Sequence, residues 1–259
     1  MQGWRIAAAG PILARSARPE APMRFALILV LFALAGCAVA PTAPQPAPRA
    51  PVAQPQAEDP PLSARQAARQ FVEVVERVEP VAERECRSRT QGMNCDFLIV
   101  VDDRPGQSPN AFQTLNENGR PIIAFNIPLI ASVRNADELA FVMGHEAAHH
   151  IAGHIERQRR NAITGAILLG GLASLTGADA GSVRSAQEIG ASVGARTYSK
   201  DFELEADALG TVITARAGYD PVRGAAFFAR IPDPGNRFLG THPPNAQRIE
   251  TVRRVAAGL

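Results

Sequence analysis

Residues 135–158 read NADELAFVMGHEAAHHIAGHIERQ, and this stretch decides how the rest of the chain is read. Asn135 followed by Glu138 is a capping-box pattern, so a helix is expected from about Ala136 to Gln158. Inside it lies His145-Glu146-Ala147-Ala148-His149, an H-E-x-x-H pattern. Positions i and i+4 are about 400° apart on an α-helix, so both imidazoles leave one face about one turn apart. That spacing offers two corners of a tetrahedral zinc site. Glu146 is one residue round and can act as general base toward a metal-bound water. The five histidines are His145, His149, His150 and His154 on this helix and His242 near the end of the sequence. His154 lies about 900° round the helix from His145. It is therefore read as a surface or second-site histidine on the opposite face.

A third ligand must come from elsewhere. Ala152 and Ile155 stand where the metzincin extension needs Gly and His, so that class is excluded. Residues 166–176 contain no acid, which removes a thermolysin-like glutamate, and Glu156 lies two turns along the same helix. The remaining candidate is Glu203-Leu204-Glu205-Ala206-Asp207, on a helix expected over Asp201–Ala217. Glu203 and Asp207 share a face as i and i+4. Glu203 can bind zinc while Asp207 hydrogen-bonds a ligand histidine. Glu205 points about 200° away from Glu203 and is read as structural.

H-E-x-x-H followed by E-x-E-A-D resembles the zinc metalloproteases related to the CAAX prenyl protease and HtpX. Three more segments fit: Pro109-Asn110-Ala111-Phe112, Tyr198-Ser199-Lys200-Asp201, and Thr241-His242-Pro243 with Arg248. The resemblance covers residues 97–250 and points to the periplasmic lipoprotein branch of that family, without the tetratricopeptide domain some members carry. It implies zinc bound one per chain by His145, His149 and Glu203, with Glu146 activating water. It implies catalytic roles for His242 and Arg248. His242 would stabilise the oxyanion or occupy the open coordination position in a latent state. It implies unfolded or misassembled envelope proteins as substrates. The competing reading is a non-cleaving lipoprotein chaperone or assembly factor that uses the same substrate-binding edge.

Around these motifs the chain reads as α+β, a mainly helical gluzincin-like zincin with a small sheet beside the H-E-x-x-H helix. Ser63 is an expected N-cap for a helix carrying Phe71, Val74, Val75 and Val78, which Pro80 ends or kinks. Phe97–Val101 reads as a strand, and Asn110–Thr114 pairs with Pro121–Phe125 across the Asn116–Gly119 turn. A substrate would add a strand at the edge marked by Asn110, Ala111 and Phe112. Residues 162–176 are apolar and Gly-rich. They read as a core or interface helix, or as a segment that touches a membrane or covers the site. Residues 183–197 and Pro243–Ala257 read as further helices.

The beginning of the chain reads as an export leader. Arg24 precedes an apolar run, Phe25–Ala35, too short to span a bilayer but suited to a signal peptide. It ends in Leu34-Ala35-Gly36-Cys37, which looks like a lipobox, so Cys37 is the expected lipidation site and membrane anchor. The true start is Met1 or Met23. The expected division is 1–36 signal peptide, 37–61 lipidated cysteine and tether, and 62–259 metalloprotease domain. Residues 38–61 hold eight prolines among 24 residues and cannot pack a core. Ala38 after the cysteine favours the periplasmic face of the outer membrane. Residues 1–36 carry Arg5, Arg15, Arg18, Arg24 and Glu20, a net +3, so the formal +2 of the whole chain becomes about −1 after their removal. No basic stripe interleaved with aromatics is present, so no nucleic-acid partner is expected. Cys86 and Cys95 in an oxidising compartment are expected to form a disulfide.

Overall fold

The H-E-x-x-H helix is the axis of the fold, because nearly all of its sides are buried. The computed structural model describes residues 60–197, 199–233, 235 and 243–259. Cys37 and His242 lie outside the described residues. Helix α1 (Ala64–Arg89) is followed by strands β1 (Leu98–Asp102), β2 (Ala111–Leu115) and β3 (Pro121–Asn126). Short α2 (Ile127–Ser132) leads to α3 (Ala136–Ile151). Then come α4 (His154–Leu175), α5 (Ala180–Arg196), α6 (Ser199–Arg216), α7 (Pro221–Gly224), a 3-10 turn (Ala225–Ala229) and α8 (Asn245–Ala256). The chain is α+β, helical with one three-stranded sheet of order β1-β3-β2.

Helix α3 opens as the capping pattern demands: the Asn135 side chain accepts the Glu138 N–H at 3.0 Å. The Glu138 carboxylate is itself buried, accepting from the Arg134 N–H and from the Arg230 guanidinium. Leu139, Ala140, Phe141, Met143, Ala147 and Ala148 fill the space between α1, the sheet and α6. A helix apolar all round belongs in the middle of a core. Two glycines let α6 approach α3. A Cβ on Gly210 would lie 2.8 Å from the His145 nitrogen, and one on Gly144 would lie 2.9 Å from the Gly210 oxygen. This contact sets the distance between the two motif-bearing helices. Gly210→Ala is expected to force them apart and cost about 1–3 kcal/mol. Denaturant unfolding would read this; an unchanged midpoint would mean that the contact is slack.

Two helix boundaries differ from the sequence expectation. Helix α1 runs through Pro80 to Arg89. Proline removes one backbone bond and crowds the preceding turn. Val74, Val78, Val81, Ala82 and Cys86 lie buried on both sides of it, and that continuous stripe holds the helix together. A disulfide joins Cys86 to Cys95, with Cα atoms 5.7 Å apart, and ties the end of α1 to the start of the sheet. The second difference is at the other end of the motif helix. It stops at Ile151 rather than Gln158, because Gly153 takes a left-handed conformation, φ +65°, and the chain restarts as α4 at His154.

The hairpin forms as expected. Strand β2 pairs antiparallel with β3, and β1 pairs parallel with β3. The bonds Asn126 N–H to Asn110 C=O and Asn116 N–H to Arg120 C=O fix the phase of the β2–β3 ladder. By antiparallel alternation, Asn110 and Phe112 spend their backbone groups on β3, whereas Ala111, Gln113 and Leu115 present theirs outward. The open edge is therefore Ala111, Gln113 and Leu115, a correction to the expected Asn110, Ala111 and Phe112.

Residues 162–176 are not a core helix. They form the main length of α4 and pack against α5 along one side only. Ile163, Ile167, Leu168, Leu172 and Leu175 are exposed on the other. Among the described residues, no helix is long and apolar enough to cross a membrane.

Candidate metal centre

Helix α3 supplies His145 and His149, and α6 supplies Glu203. Their donor atoms form a small triangle. His145 Nε2 and His149 Nε2 are 3.0 Å apart, and the Glu203 oxygens lie 3.6 Å from the first and 3.5 Å from the second. Ligands about 2.0–2.2 Å from a tetrahedral zinc lie roughly 3.3–3.5 Å from one another. The three edges bracket that value. The donor set, two imidazoles and a carboxylate, suits a divalent cation of the zinc type. Among the described residues this is the one group of three or more such side chains close enough to share an ion.

Each ligand is held from behind. The Asp207 Oδ1 lies 2.9 Å from His145 Nδ1. That places the carboxylate where sequence spacing put it, one turn beyond Glu203. Asp207 is completely buried and takes a two-pronged bond from Arg248, Nε at 2.8 Å and a terminal nitrogen at 2.7 Å. Burial raises its carboxyl pKa, but the bonds from Arg248 and His145 outweigh this and hold it below the usual range. Arg248 lies over the Phe228 ring and reaches Glu203 Oε2 at 3.4 Å. Its contacts hold Asp207 and Glu203 in place, and it also faces the cleft beside His145.

Burial depresses His145 too, yet hydrogen bonds to Asp207 and Glu203 push its pKa up to about 9. Burial and the neighbouring His145 cation pull His149 down to about 3. The two imidazoles disfavour each other's protonation, and His145 gives up its proton when it binds a metal ion. Burial pushes the Glu146 carboxyl up, and the neighbouring Glu203 adds to this, while the His145 and Arg248 cations pull the other way. A carboxylate raised in this way suits proton transfer near neutral pH. A cleft of about 1050 Å³ runs over the triangle, walled by Asn110–Gln113 on one side and by Phe227, Phe228 and Arg248 on the other.

His154 overturns the sequence expectation. It is buried, 5% exposed, and its Nδ1 lies 2.8 Å from His149 Nδ1. A ligand histidine bound through Nε2 carries its proton on Nδ1, so His149 donates and His154 accepts. His154 then donates from Nε2 to Glu205 at 3.2 Å. Glu205 also accepts from Arg157 at 2.7 Å, and Phe202 stacks on the His154 ring at 4.6 Å. The break at Gly153 allows this, because a continuous helix would have carried His154 away from His149. A glycine inside an otherwise periodic run was the available signal. Among the described residues the remaining histidine, His150, bonds the Asn94 carbonyl at 2.8 Å beside the Cys86–Cys95 bridge and is structural. His154→Phe should keep the stack on Phe202 and lose the acceptor. Zinc affinity should fall about 10–100-fold. Titration against a competing chelator measures it, and an unchanged constant would remove His154 from the ligand support.

Known proteins can be set beside this geometry. The chain is 31% identical over 182 residues to the beta-barrel assembly-enhancing protease of Escherichia coli O157:H7, covering 62% of this chain and 34% of that protein. It is 29% identical over 182 residues to the protein of the same name from Yersinia pestis, 62% of this chain and 34% of that one. It is 31% identical over 184 residues to the mitochondrial metalloendopeptidase OMA1 of Saccharomyces cerevisiae, 64% of this chain and 48% of that one. The chain thus spans about a third to a half of the length of these curated relatives. The sequence profile described as Peptidase family M48 matches residues 68–256, which include both motif helices and the strands between α1 and α3. That match spans the helices carrying the His145–His149–Glu203 cluster and Glu146, and the chain belongs to peptidase family M48.

Proposed function

We propose that this chain is a zinc endopeptidase that cleaves unfolded or misassembled proteins of the bacterial envelope. The observation that carries the reading is the convergence of the His145–His149–Glu203 triangle, Glu146 and the open edge of β2 on one cleft. When bound, zinc supplies a Lewis acid for the scissile carbonyl and acidifies water. The residues do the rest. His145, His149 and Glu203 hold the ion, and Asp207, Arg248, His154 and Glu205 fix the ligand orientations. A peptide lies along β2 and pairs with the outward backbone groups of Ala111, Gln113 and Leu115. Backbone pairing is indifferent to side chains, which suits a protease for unfolded chains. Glu146 takes a proton from the attacking water and gives it to the departing amine. His242 is assigned the oxyanion, or the open coordination position in a latent state, on the strength of the motif alone.

The proposed setting is the periplasmic face of the outer membrane, with lipid on Cys37 and residues 38–61 as the tether. The lipobox-like Leu34-Ala35-Gly36-Cys37 supports it, as does the Cys86–Cys95 bridge, which suits an oxidising compartment. The name of the E. coli relative points to proteins of β-barrel assembly as the substrate class.

The test is cleavage of casein by the purified, zinc-loaded chain. Fragments should appear, a chelator should stop their formation, and added zinc should restore it. Intact casein with a fully zinc-loaded protein would overturn the peptidase reading.

A further inference from the structure

Helices α4 and α5 are built with their large and small residues the wrong way round for a water-facing hairpin. Their shared seam is rich in glycine, with Gly165, Gly170, Gly190 and Gly194 packed against Ala162, Leu169 and Gln187. A Cβ on Gly165 would lie 2.0 Å from the Gly190 oxygen, and one on Gly194 would lie 2.1 Å from the Asn161 oxygen. Ala186, Gly190 and Gly194 recur at every fourth position, the small-xxx-small spacing by which helices approach closely in lipid. The large residues point outward. Ile163, Ile167, Leu168, Leu172 and Leu175 are each more than half exposed, and Leu175 is 88% exposed. In water a helix pair buries such residues between its members.

The hairpin is also two-sided. From Asn161 to Ala178 there is no charged residue, and one turn before Ile163 stand the exposed Arg159 and Arg160. On α5, Arg184, Ser185, Glu188 and Ser192 form an exposed polar strip, and Ile189 and Val193 are exposed along its flank. Helix α4 has 22 residues, about 33 Å, yet no described helix is apolar enough to cross a membrane. A broad apolar face, basic residues at one end and a polar back describe a helix that lies in the membrane interface.

We propose that the α4–α5 hairpin docks on an anionic phospholipid surface. The outward face of α4 enters one leaflet, Arg159 and Arg160 meet the lipid phosphates, and α5 stays on the water side. This is independent of lipid on Cys37 and of the peptidase chemistry. It places a membrane beside the metal centre, because α4 begins at His154, the residue that holds His149. Unfolded chains close to the bilayer would then reach the cleft first.

The unit Pro55–Leu259 contains every core residue described and lacks Cys37, so it can be tested alone. It should sediment with vesicles of phosphatidylethanolamine and phosphatidylglycerol, and less with phosphatidylcholine vesicles. Replacing Ile167, Leu168 and Leu172 together by serine should lower the bound fraction at least about tenfold. Arg159→Glu with Arg160→Glu should lower binding to the anionic vesicles alone. A second readout does not depend on loss of binding. An environment-sensitive dye on Leu168→Cys should shift to the blue with vesicles and be quenched by acyl-chain spin labels, while the same dye on Ser192→Cys should do neither. Equal sedimentation of the serine variant overturns the proposal. So does a blue shift at Leu168→Cys that follows protein concentration without lipid, which would mean that a second copy covers the face.

Discussion

Glu146→Gln should leave zinc content and fold unchanged and lower casein cleavage by about a thousandfold. General acid–base catalysis accounts for 10²–10⁴-fold, and in the proposed mechanism one carboxylate serves both proton transfers. Glutamine keeps the size and hydrogen-bonding capacity of the side chain but cannot take the proton from water. The measurement is initial rate against zinc content for both proteins. A Glu146→Gln protein that cleaves at the wild-type rate would end the mechanism. An envelope-assembly phenotype that survives the substitution would favour the non-cleaving chaperone reading instead.

The second large effect is on stability. Arg248→Ala leaves the Asp207 carboxylate without its two-pronged partner at a site with no exposure to water. Removing one member of a buried pair costs about 3–5 kcal/mol, because the other charge stays buried and uncompensated. Denaturant unfolding of the zinc-loaded protein should show a loss of that size. Lysine at this position should not rescue it, since a point charge cannot replace the planar fork. The double variant Arg248→Met with Asp207→Asn should regain stability, and should still bind zinc weakly because His145 has lost its carboxylate. A loss below about 1 kcal/mol for Arg248→Ala would show the pair to be screened like a surface ion pair.

The chemistry of the site was more legible in the sequence than the shape of the chain around it. His145 with His149, and Glu203 with Asp207, are i,i+4 pairs, and helical periodicity alone puts each pair on one face. Their meeting is a tertiary event. It rests on the Gly144–Gly210 contact, which has no periodic signature. His154 was misplaced because a single left-handed residue, Gly153, resets the phase of everything after it. Pro80 misled in the opposite direction, since buried packing on both sides outweighs one missing backbone bond. The open edge of β2 lies within a residue of the expected one. Strand register, fixed by the Asn110–Asn126 bond, decides which backbone groups face outward, and a shift of one residue reverses the answer. For residues 162–176 periodicity identified a helix but not its surroundings, because an apolar face reads the same whether protein or lipid covers it.

The central claim is that His145, His149 and Glu203 are the ligands of one catalytic zinc. X-ray absorption at the zinc edge, on the purified chain and on its Glu203→Ala variant, tests it most directly. The expected wild-type result is one zinc per chain, with imidazole scattering from two ligands and oxygen at about 2.0–2.2 Å. In the variant, the zinc should be lost or the oxygen shell changed. A wild-type spectrum with sulfur ligands, or a variant whose zinc content and spectrum match the wild type, would contradict it.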